Sequence, residues 1–113
     1  MNKIQEKLIS GGYCDERGAC TCANVSLLPN GSYGYVLLCV KGGELDIYDV
    51  DMHTNPGRLL KRIPLSGVEN LRVRGLFIKK LLFRYDGFDY SFGSLAGVGP
   101  TLDVIKAESE KRS

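Results

Sequence analysis

The residues of this chain whose types could do chemistry are a dense run of basic side chains, four cysteines, a few carboxylates and one histidine. Between Arg58 and Arg84 stand eight Lys or Arg residues and one acid, Glu69. Within that run Arg72, Arg74, Lys79, Lys80 and Arg84 fall on two neighbouring segments of strand character. Guanidinium and ammonium groups gathered in this way bind phosphate-bearing ligands, including anionic lipid head groups, by charge and forked hydrogen bonds. The same five residues also fit a plainer role, as a solvated strand face that keeps a sheet edge from pairing with other chains.

The thiols are Cys14, Cys20, Cys22 and Cys39. Alternation puts Cys20 and Cys22 on one face of a strand, with Cys39 on the next strand, and three thiolates would suffice for Zn²⁺. The spacing C-x5-C-x-C lacks the C-x2-C knuckle of common zinc sites, and free cysteine is more often a small buried apolar side chain. No metal and no cofactor are therefore expected. Asp46, Asp49 and Asp51 could offer oxygen ligands to a hard cation, but their spacing fits no EF-hand loop. His53 stands alone in a polar connection, DMHTNPG, and no Ser-His-Asp set, Gly-rich phosphate loop or H-E-x-x-H is present. The chain reads as a non-enzyme.

The elements that must position these groups are mostly strands. The clearest is LLFRYDGFDYSF, residues 81–92. Asp86-Gly87 is a strong type I′ turn signal, since both turn residues must reach positive φ. Closing the turn there pairs Tyr85 with Phe88, Phe83 with Tyr90 and Leu81 with Phe92, all on one face, and puts Arg84 opposite Asp89 on the other. Gly42-Gly43 likewise closes a hairpin pairing Val40 with Leu45 and Leu38 with Ile47. Further strands are expected over 19–28, 58–65 (with Pro64 at its end), 68–74 and 76–85. In the last of these strict alternation would put Lys79 on the aromatic face, so either a bulge near Lys79-Lys80 redirects it or Lys79 lies at the rim. A helix is expected over 2–9, ended by Gly11-Gly12, and another from Pro100-Thr101 through TLDVIKAESEKR, whose charged end, 108–113, could instead be a disordered tail. Six or seven strands with turns every 8–12 residues make a sandwich or barrel, and 113 residues make one domain, 1–113.

Net charge is +2 but divided. Residues 1–57 hold four basic and seven acidic side chains, and residues 58–113 hold eleven and six. No apolar run approaches the ~20 residues that span a bilayer, and the first ten residues lack an apolar core of signal-peptide length. A soluble cytoplasmic chain with reduced thiols is expected.

From Tyr35 onward the order of motifs resembles the bacterial pleckstrin-homology-like domains. The matching residues are Leu45-Asp46-Ile47-Tyr48-Asp49, then Ile63-Pro64-Leu65-Ser66-Gly67-Val68, then the 81–92 hairpin, and the resemblance covers roughly residues 34–110. It implies a mainly β fold, an open barrel or sandwich of two roughly orthogonal antiparallel sheets with a C-terminal helix. It also implies a binding or scaffolding role without catalysis. The expected partner is protein, either a second copy of the chain (most simply a two-fold dimer) or another chain. Anionic lipid or phosphate recognition by the 58–84 segment is the alternative, and a small thiol metal site or enzyme a second. Nucleic acid is not expected, because the aromatics face the core rather than interleaving with the basic face.

Overall fold

The computed structural model describes residues 3–53, 55–95 and 99–111. Helix α1 (Lys3–Ser10) precedes strands β1 (Cys20–Val25), β2 (Gly34–Lys41), β3 (Glu44–Val50) and β4 (Pro56–Pro64). A 3-10 turn (Leu65–Gly67) leads to β5 (Glu69–Arg74), β6 (Lys79–Tyr85), β7 (Phe88–Leu95) and helix α2 (Gly99–Ser109). The fold is mainly β, with seven antiparallel strands in one open sheet of order β4-β3-β2-β1-β7-β6-β5.

Both hairpins expected from turn residues form in register. Asp86 and Gly87 take φ of 52° and 76°, and the ladder pairs Tyr85 with Phe88, Arg84 with Asp89, Phe83 with Tyr90 and Leu81 with Phe92. Phe83 stacks on Tyr90 at 5.0 Å between ring centroids and lies 5.9 Å from Phe92. Gly42-Gly43 turns β2 into β3 with Val40 opposite Leu45 and Leu38 opposite Ile47, all four buried.

One core cluster takes Val36, Leu38, Val40, Leu45, Ile47 and Ile63 from one half of the sheet and Leu81, Phe83, Tyr90 and Phe92 from the other. Side chains of both halves meet only if the sheet curls around them. The halves join at β1 and β7, which pair over Asn24–Gly93 and Val25–Phe92. Helix α2 adds Leu102 and Ile105 to this core and runs on through buried Glu108 and Ser109. Residues 108 and 109 are helical, and 112 and 113 lie outside the described residues. Glu108 is drawn in by charge: Arg17 Nη1 donates to its Oε1 at 2.7 Å and Lys111 Nζ at 3.0 Å.

A second cluster covers the opposite face of β2 and β3. Leu8 of α1 and Cys14 pack on Leu37, Cys39 and Tyr48, and Tyr13 meets Tyr48 edge to face at 5.2 Å. This explains why YVLLCV shows no alternation: from Val36 to Val40 every side chain is buried, because both faces are covered.

Candidate binding surface

The five basic residues lie on one hairpin. Strands β5 and β6 pair Glu69 with Arg84, Arg72 with Leu82 and Arg74 with Lys80. Two-residue periodicity puts Arg72 and Arg74 on the same face as Lys80 and Arg84, away from buried Leu81 and Phe83. A bulge is present as a register shift between Lys79 and Leu81, and Lys79 is half-buried. A second shift, between Glu69 and Arg72, accompanies Asn70 at φ 54°.

Arg74 and Lys80 are directly opposed like charges, an arrangement that destabilises a strand pair. Among the described residues neither has an acidic partner, nor has Lys79. The Arg72 guanidinium donates to the Asn70 carbonyl at 2.8 Å, and Arg84 has Asp89 no closer than 3.9 Å. The charge at the far end of the hairpin is uncompensated among the described residues.

Beyond Arg74 the structure departs from the sequence reading. The strand expected over 76–85 begins only at Lys79, and Leu76, Phe77 and Ile78 form the connecting loop. They are 87%, 88% and 68% exposed. Gly75 shapes the loop with φ of +99°, and a Cβ there would collide with the Ile78 carbonyl oxygen. Three adjacent large apolar side chains therefore project from the sheet end between Arg74 and Lys79. Gly75 was a hint in the sequence, but the strand-like composition of Leu76-Phe77-Ile78 masked it.

The other candidate groups are absorbed by the fold. All four cysteines are free and belong to the second cluster, with Cys20 directly opposite Cys39. Burial pushes the Cys20 thiol up to about 11 and Cys39 higher still, each aided by the neighbouring thiols, whereas nucleophilic attack needs thiolate. Asp46, 1% exposed, accepts two hydrogen bonds from Arg62 at 2.8 and 3.2 Å. Asp49 accepts from the Arg58 backbone at 2.7 Å. Asp51 holds the β3–β4 turn through the His53 and Asn55 backbone N–H groups at 2.8 and 2.9 Å. Among the described residues no group of three or more His, Cys, Asp or Glu is arranged to hold a metal ion.

A cleft of about 510 Å³ lined by Cys22, Tyr35, Val50, Asp51 and Met52 lies towards the sheet end that carries the β3–β4 turn. Strand order puts the β5–β6 loop at the opposite end, with the Gly42-Gly43 turn. Among the described residues no helix is long and apolar enough to cross a membrane. No protein-family model matches the chain, and no curated protein matches it significantly.

Proposed function

We infer that this chain is a non-enzymatic binding module of the pleckstrin-homology-like type, and that its working surface is the β5–β6 end. The observation that carries this is the contiguous exposure of Leu76, Phe77 and Ile78 beside unpaired Arg74, Lys79 and Lys80. Single exposed apolar residues are ordinary, but three in sequence on a loop whose shape needs a glycine mark a contact site. The family reading draws support from two runs of antiparallel strands, β1–β4 and β5–β7, joined at a short ladder and followed by a helix that packs into the core. A curled sheet with both edges open is what two crossed sheets would give. Free thiols suit a reducing compartment, and we assign the module to the cytoplasm.

Pairing of copies through the edges β4 and β5 is the weaker reading. Both edge strands carry register shifts, and their basic residues (Arg58, Lys61 and Arg62 on β4; Arg72 and Arg74 on β5) guard against strand addition. The test is a map of backbone amide shifts of the labelled chain on adding cell extract with its membranes. Perturbations are expected to gather over 72–80. Perturbations centred on the β1–β2 and β3–β4 turns, or none, would overturn the assignment.

A further inference from the structure

We propose that the β5–β6 end docks on the surface of an anionic lipid bilayer, with Leu76, Phe77 and Ile78 entering the interface and Arg74, Lys79 and Lys80 meeting the head groups. This deepens the reading of that end as the working surface and rests on it. The loop has the two chemistries that an anionic bilayer offers in the order it offers them. Apolar side chains occupy the outermost position, and cations stand behind them. Arg74 and Lys80 face each other where the two strands end, and the apolar residues occupy the loop beyond that pair. An interfacial segment places its apolar side chains in the head-group boundary with basic groups beside them.

Charge complementarity favours this occupant over a protein groove. Residues 69–85 carry five basic side chains and one acid, so the hairpin is +4 within a chain whose net charge is +2. Among the described residues the opposed Arg74–Lys80 pair has no acidic partner, and a dense anionic surface would relieve that repulsion.

The chain contains no tryptophan, so Phe77→Trp adds a single indole reporter at a site where a larger ring meets no packing constraint. Its emission and co-sedimentation are read with vesicles of phosphatidylcholine mixed with phosphatidylglycerol, and with vesicles of phosphatidylcholine alone. Binding to the mixed vesicles with a blue shift of the indole emission, weakened at high salt, is expected. At roughly five-fold per basic side chain near an anionic surface, the Arg74→Gln, Lys80→Gln double variant should bind about thirty-fold more weakly. Phe77→Ser should also weaken binding while leaving circular dichroism unchanged. No vesicle binding, equal binding to neutral vesicles, or binding without a shift of the indole emission would each overturn the proposal. If vesicles fail while extract still perturbs residues 72–80, the partner is a protein and the working surface stands; if both fail, both readings fall.

Discussion

Phe83 and Phe77 are the same residue type six positions apart on one hairpin, and replacing each by alanine should have opposite consequences. Phe83 is 1% exposed, stacked on Tyr90 and close to Phe92, with Leu81 on the same face. Truncation removes the ring's transfer free energy and leaves a cavity that the flanking strands, fixed by their ladders, cannot close. Such substitutions cost about 3–5 kcal/mol, and the lost ring pairs place this one in the upper half of that range. Against the roughly 5–15 kcal/mol that stabilises a domain, this is a large share. With an unfolding entropy near 2.1 cal/mol/K per residue, a chain of this length should lose roughly 17–21 °C of Tm. Phe77 is 88% exposed, and its truncation should change stability by less than about 0.5 kcal/mol. Urea unfolding followed by far-UV circular dichroism measures both, and an unchanged slope would show that the comparison is of stability alone. Equal losses for Phe83→Ala and Phe77→Ala would refute the register set by Asp86-Gly87, the burial, or both.

Three further outcomes follow from the same geometry. Arg62→Ala should destabilise the fold more than Asp46→Ala, because it strands the buried Asp46 carboxylate, whereas Asp46→Ala leaves a half-exposed guanidinium that returns to water; chemical denaturation ranks the two. The Arg17 guanidinium holds the Asp15 and Glu108 carboxyls below their ordinary values. Their contribution is therefore present above the unfolded carboxyl range and is lost as pH falls through the lowered folded values. Arg17→Met should cost about 1–2 kcal/mol at neutral pH and flatten the fall in Tm below about pH 4, read by thermal melts across pH. Gly75→Ala should destabilise by about 1–3 kcal/mol, since the loop needs φ of +99° and the new methyl would meet the Ile78 carbonyl; a melt indistinguishable from wild type would show that the loop adopts another shape.

The legible parts of the fold were those set by local turn chemistry and two-residue alternation. Asp86-Gly87 and Gly42-Gly43 each fixed a register, and alternation then sorted Phe83 and Tyr90 inward and Arg84 and Asp89 outward. The cover that α1 and Cys14 place on Leu37, Cys39 and Tyr48 was not legible, because it depends on where a short helix docks rather than on its own pattern. The basic residues were visible as a run, and their common face follows from β5–β6 pairing. The apolar tip was hidden because Leu76-Phe77-Ile78 has strand-like composition; only its position beyond the end of β5 turns it into a loop.

The central claim is that the chain works through the β5–β6 end, and Phe77 is its most exposed apolar side chain there. A photo-reactive phenylalanine in place of Phe77, and separately in place of Met52 (90% exposed in the β3–β4 turn), tests it in whole cells that express the full chain. The account predicts abundant adducts from position 77, lipid foremost, and few from position 52. Adducts chiefly from position 52, or equal yields from both, would contradict it.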